Sequence, residues 1–178
     1  NEQIVATDDY FYSLKDGKYI TVVNLNGKEI NKIQFSENTI HPNCIYKSND
    51  GKVYAGTNSG IYELSGFNKP KKVFSEISLP VYSICLQQNV WYFGSTDVVV
   101  SINGSALNAV KLPESGNIKR LLVDRNNNIW AATFPQNKLF LITNNRILDV
   151  SAKLGLASAS VNKVMEDNEG NIWIATYG

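Results

Sequence analysis

The sequence predicts an all-β chain built from repeated units of four short antiparallel strands. Three observations carry that expectation. A short phrase, in which a small residue and then Thr or Ser follow large apolar ones, recurs along the chain. Around each copy, apolar and polar residues alternate with the two-residue period of strands, and clusters of Asp, Asn, Ser and Gly separate the runs. Helical periodicity is absent, apart from one short turn at 151–156.

The phrase occurs as Ile4-Val5-Ala6-Thr7, Tyr54-Ala55-Gly56-Thr57, Tyr92-Phe93-Gly94-Ser95, Trp130-Ala131-Ala132-Thr133 and Trp173-Ile174-Ala175-Thr176. Its copies end at 7, 57, 95, 133 and 176. The spacing is close to the roughly 40–50-residue period of propeller blades. The first interval is the longest, and Asn24-Leu25-Asn26-Gly27 reads as added length in a hairpin there.

Each unit is expected to open on an alternating strand, at 44–46, 82–86, 118–123 and 161–165. A turn follows: Ser48-Asn49-Asp50-Gly51, Asp124-Arg125-Asn126-Asn127 and Asp167-Asn168-Glu169-Gly170. Its first side chain can accept a bond from the backbone two residues on. Its fourth residue, Gly or Asn, tolerates the positive φ that closes such a hairpin. In the second unit the turn shortens to Gln87-Gln88-Asn89. The recurring phrase is the next strand. A third follows at 60–64, 98–102 and 138–142, and a fourth at 71–74, 108–112 and 146–150.

A sheet of this size cannot bury both faces alone, so units must stack, and radial stacking makes a β-propeller. Tyr54, Tyr92, Trp130 and Trp173 share one position in the unit and are expected to pack between neighbouring blades. The predicted layout is about four blades in a single span, 1–178. It comprises a partial blade at 1–35, blades at about 40–75, 79–113 and 116–155, and a partial blade at 159–178. Both outer copies of the phrase supply the same strand, so they cannot complete one blade between them. The expectation is therefore an incomplete arc of a larger propeller, with exposed blade faces that favour self-association.

The repeat resembles that of the two-component regulator propeller family: an apolar strand, Asp-x-x-Gly-Asn, an apolar residue, Trp, and an ending in Gly or Ala and Thr. Val164–Thr176 (VMEDNEGNIWIAT) follows it almost throughout, and Leu122–Thr133 follows it with Asn127 in place of Gly. Val53–Gly60 follows its later part, and the unit around Ser95 departs most. The resemblance implies the extracytoplasmic, periplasmic sensor region of a bacterial hybrid two-component histidine kinase. It also implies an oligosaccharide ligand.

Composition excludes other classes. Apolar residues make up 43% and charged residues 19%, a globular balance. The net charge is +1 with no basic block, so the footprint of a nucleic-acid binder is missing. No apolar run approaches the roughly 20 residues of a membrane span, so no membrane insertion by this segment is expected. Asn1-Glu2-Gln3 has neither the basic start nor the apolar stretch of a signal peptide. Cys44 and Cys85 lack metal-ligand spacing and read as small buried residues.

Catalytic and cofactor chemistry is sparse. DNEGN and DRNNN have the opening of a calcium loop, but the twelfth position is Gly178 or Pro135 rather than an acid, so both read as turns. No phosphate-binding glycine motif, nucleophile elbow or paired-histidine site is present, and no cofactor or metal is expected. His41, the single histidine, is the residue a streptogramin-lyase-like enzyme would need. The reading is a non-enzymatic segment, with a protein-interaction scaffold and such a lyase as the alternatives.

What remains is a recognition surface in the loops, where aromatic rings beside amides and carboxylates suit sugars. The candidate ligand-binding residues are Asp8 and Tyr10, His41 and Asn43, and Asn58. Further along they are Asp97, Asn117, Phe134, Gln136 and Tyr177, with Asp9, Thr96 and Asn137 as neighbours.

Overall fold

The computed structural model describes residues 2–15, 17–35, 37–65, 67–144, 146–156 and 159–177, and for residue 2 the backbone only. Among these the regular structure is all strand. The chain divides into two compact units, Asn1–Val81 and Tyr82–Gly178.

The first unit holds two antiparallel sheets paired in chain order. One contains β1 (Glu2–Ala6), β2 (Tyr10–Lys15), β3 (Tyr19–Asn24) and β4 (Glu29–Ile33). The other contains β5 (Pro42–Lys47), β6 (Val53–Thr57), β7 (Gly60–Leu64) and β8 (Lys71–Val73). The first sheet is complete, where the phrase alignment expects part of one. Strand β5 packs on β1 and β2, and the β1–β2 turn shares a cleft with the β5–β6 turn. In the second unit, likewise, the strand that opens a sheet packs on the first two strands of the sheet before. Ile4–Thr7 therefore lies in the first strand of a blade, not the second.

The cause of that shift is local chemistry. Thr7 Oγ1 donates to the Tyr10 carbonyl at 2.9 Å, and Thr57 Oγ1 donates to the Gly60 carbonyl at 2.9 Å. The phrase thus marks a strand end with a tight turn after it, and two different hairpins use it. Asn24–Gly27 is the β3–β4 turn: Asn24 Oδ1 accepts the N–H groups of Asn26 and Lys28 at 3.1 and 2.9 Å, and Gly27 has φ +79°.

The second unit opens with β9 (Ser83–Gln87), β10 (Val90–Gly94), β11 (Val98–Asn103) and β12 (Ala106–Lys111). It continues with β13 (Asn117–Val123), β14 (Ile129–Phe134), β15 (Leu139–Thr143) and β16 (Arg146–Asp149). β17 (Ser160–Glu166) pairs with β18 (Ile172–Tyr177) in a two-stranded sheet. The short β9–β10 turn places Gln88 at φ +48° and Asn89 at φ +63°, the two positive angles of a two-residue hairpin loop.

The small residue in the recurring phrase has a steric reason. A Cβ on Gly56 would lie 2.6 Å from Cys44 Sγ and 2.8 Å from Val81 Cγ1. A Cβ on Gly94 would collide with Ser83 Oγ and Ile118. At Gly56 the connector residue Val81, and at Gly94 the strand residue Ile118, packs against bare backbone. The cores follow strand alternation: Tyr12, Leu14, Ile20 and Val22 pack with Ile45, Val53 and Leu64 in the first unit. In the second, Tyr92 packs against a cluster that includes Ile118, Ala131 and Phe140 of the following sheet, and Trp130 against a cluster that joins Ala132 and Leu139 of its own sheet to Val164 of the next. Packing between blades is thus the role of both rings.

The acid-led turns fold as the sequence suggests. Asp124 Oδ1 accepts the N–H groups of Asn126 and Asn128 at 3.0 and 2.9 Å, and Asn127 takes φ +61°. Asp167 Oδ1 accepts those of Glu169 and Asn171 at 2.9 and 2.8 Å, and Gly170 takes φ +91°. The other oxygen of each acid accepts an Asn amide and an indole N–H: Asn128 and Trp130 on Asp124, Asn171 and Trp173 on Asp167. Burial pushes the Asp124 carboxyl up, but these donors outweigh it and hold the pKa below its ordinary value. The indole and amide donors hold Asp167 lower still.

Candidate functional site

The expected loop residues separate into groups. In the first unit His41, Asn43 and Asn58 meet where β5 begins and β6 ends. Asn58 Oδ1 accepts the His41 N–H at 2.8 Å, and Asn58 Nδ2 donates to the Thr39 carbonyl at 2.9 Å. The Asn58 side chain is therefore tied to the chain leading into β5. His41 is exposed, and its backbone is the part held. Asn43 is the extra residue of a bulge between the Pro42 and Cys44 pairings. Its Nδ2 is buried and has no partner among the described residues.

Asp8 and Tyr10 lie at the opposite end of these strands. The turn Thr7-Asp8-Asp9 borders a cleft of about 550 Å³ with Asn49, Asp50 and Lys52 of the β5–β6 turn. The grouping of Asp8 and Tyr10 with His41 and Asn58 on one face is therefore corrected. The shift of strand order in the first blade turned that loop over, because each strand carries the chain from one end of the sheet to the other.

The second unit brings its candidates together. Thr96 bridges to Asn117, and its Oγ1 donates to Asn117 Oδ1 at 3.0 Å. Asn117 stands opposite Phe134 in the β13–β14 register. The Asp97 N–H donates to the Gly116 carbonyl at 2.9 Å, with Asp97 at φ +51°. A Cβ on Gly116 would lie 2.5 Å from Gln136 Oε1, so Gln136 folds over that glycine. The outcome is one polar end with an aromatic ring, Phe134, that is 51% exposed. Tyr177 holds the matching place in β18, opposite Ser160, and is 63% exposed.

Sequence reasoning missed the bulges that shape the first strands. Pairing shifts between Ile118 and Arg120, and between Val161 and Lys163, so Lys119 and Asn162 are extra residues as Asn43 is. Arg120 spans two of these bulges. Its Nη1 donates to the Lys119 carbonyl at 2.8 Å, its Nε donates to the Asn162 carbonyl, and its Nη2 reaches Asn162 Oδ1 at 3.2 Å. The Lys119 ammonium lies 4.5 Å from the centre of the Tyr82 ring. No local residue pattern announces a bulge, since all three positions read as ordinary alternation.

Among the described residues, no group of His, Cys, Asp and Glu is placed to hold a metal ion, and no helix is long and apolar enough to cross a membrane. Cys44 is buried with its Sγ 3.9 Å from the Val81 carbonyl oxygen, and burial raises the Cys85 thiol pKa.

Residues 155–178 match the family model described as "Two component regulator propeller". No curated protein matches the chain in sequence. Solved structures share the fold. The extracellular domain of BT4673 from B. thetaiotaomicron, described both as a one component and as a hybrid two component system, superposes with a TM-score of 0.72 at 20% identity, over 98% of this chain and 26% of that one. The extracellular domain of BT3049, described as a hybrid two component system of B. thetaiotaomicron, gives 0.70 at 18%, over 98% and 25%. Virginiamycin B lyase from Staphylococcus aureus gives 0.72 at 16%, over 97% and 61%. The chain spans about a quarter of the length of the first two.

Proposed function

We propose that these two component regulator propeller repeats are the ligand-sensing, periplasmic part of a bacterial hybrid two-component regulator, and that the ligand is a carbohydrate. Structural likeness to extracellular domains described as parts of such systems supports the setting. The observation that carries the ligand is the end of the second unit. There the exposed Phe134 stands opposite Asn117 in the strand register, at the end where Asp97 and Gln136 meet Gly116. An open ring receives the apolar face of a sugar, and amide and carboxylate groups bond its hydroxyls. In this reading no bond of the ligand is broken, and the site transmits only a difference in affinity between two states of the sensor.

The test is calorimetric titration of the chain with neutral oligosaccharides, together with Phe134→Ala. Saturable binding that weakens about tenfold in the variant is expected, a loss of about 1.4 kcal/mol. Binding that ignores the substitution, or no binding to any oligosaccharide at millimolar concentration, overturns the carbohydrate reading. Turnover of a cyclic ester antibiotic, abolished by His41→Ala, would instead support the lyase alternative.

A further inference from the structure

We propose a second binding site, in the first unit, for a sugar that carries a carboxylate. It is the cleft between β4 with the segment after it and the β7–β8 loop. Its volume is about 540 Å³, within the range of small-molecule sites. Phe67 lines it and is 61% exposed. Tyr10 meets Phe67 edge-on with ring centres 5.9 Å apart, which fixes the pitch of the ring while most of it stays open. Across the cleft Phe35 is held edge-on against Tyr62 at 5.2 Å. The site thus has one open ring and one braced ring.

The polar lining around them is amide and ammonium. Gln34, Asn38 and Asn68 supply amides, each both donor and acceptor, as hydroxyl groups require. Among the described residues, the charged side chains that line the cleft are Lys32 and Lys69, with no carboxylate among the lining groups. Lys32 is shared with Glu29 at 3.6 Å and sits 4.8 Å from the centre of the Tyr19 ring. Lys69 is in no ion pair with a described residue. A ring-shaped ligand with hydroxyls and one negative charge matches this set of groups. An added peptide strand does not: β4 carries a bulge between its Val22 and Val23 pairings and a lysine, both of which deter pairing at a sheet edge.

The inference does not depend on the function proposed for the second unit, because the two sites use different residues. Galacturonate and glucuronate tetramers are the probes, with the neutral galactose tetramer as control, in calorimetric titrations of the intact chain at low and moderate salt. At least one uronate should bind, and the neutral tetramer at least about tenfold more weakly. Phe67→Ala should weaken uronate binding about tenfold. Lys69→Gln should weaken it about threefold and flatten its dependence on salt. Phe134→Ala should leave it unchanged. Failure of both uronates to bind at millimolar concentration overturns the proposal, and so does a neutral tetramer that binds as tightly as the uronate and is weakened by Phe67→Ala rather than by Phe134→Ala. Uronate binding that is lost in Phe134→Ala and kept in a folded Phe67→Ala places the ligand in the second unit and overturns this site while sparing the other.

Discussion

Asp124 Oδ2 accepts the indole N–H of Trp130, six positions further along the chain, at 3.0 Å. The same carboxylate holds the backbone of that turn, and the same ring packs against the following sheet. One acid therefore couples the shape of a hairpin to the packing between two blades.

Asp124→Ala removes the acceptor for two backbone and two side-chain donors at a buried position. The expected loss is about 2–4 kcal/mol in urea unfolding. Asp167→Ala, in a more exposed copy of the turn, should cost less. Equal costs would show that burial of the acid is not what sets its weight.

Gly56→Ala should destabilise by about 1–3 kcal/mol, because Cys44 Sγ and Val81 Cγ1 must both yield to the new Cβ. Combining it with Cys44→Ala should recover part of that loss, since the two sites are in contact. Strictly additive losses, read from thermal unfolding, would exclude the clash as the cause.

Acid should weaken the fold through its turn carboxylates. The Lys138 ammonium at 2.7 Å and the Ser151 hydroxyl at 2.6 Å lower the Asp149 pKa from 3.8 to about 2. Asp167 is lowered by Trp173 and Asn171. A carboxyl with a depressed folded pKa stabilises above its unfolded pKa, and that contribution fades as pH falls through the folded value. Stability followed by urea unfolding should hold down to about pH 4 and then decline toward pH 2. For Asp149→Asn the decline should be shallower.

Arg125 fastens one turn to the next. Its Nε lies 2.7 Å from Glu166 Oε1, and its Nη2 donates to the Asp167 carbonyl at 2.6 Å. Arg125→Ala should cost about 0.5–1.5 kcal/mol, because the pair is partly exposed. It should also speed amide exchange at Glu169 and Asn171 more than at residues of β9. Uniform acceleration along the chain would argue against a local fastening.

The repeat was legible because its causes are local. An Asp that closes a turn, a Gly that faces a neighbouring strand and a ring that covers the next sheet each need a particular residue type at a particular place. The position of the first strand was not legible in the same way. Thr7 and Thr57 make the same hydroxyl-to-carbonyl bond over a hairpin, so the residues report a hairpin without saying which one. The meeting of Asn117 with Phe134 could be anticipated from the loops. The Phe67 cleft could not, because it joins segments well separated along the chain whose polar residues look like ordinary solvated loops.

The strand order in the first unit also bears on how such a chain grows. Since β1 opens a sheet and β4 ends it, each complete stretch from first to fourth strand is a meander that lends no strand to another sheet. Duplicating or deleting one such stretch, cut in the connectors at 34–41, 74–82 or 112–116, would preserve the strand pairing of every remaining sheet. Copy number is then the easiest property of this architecture for a genome to change, whereas a cut inside a sheet would force strands of two different sheets to pair.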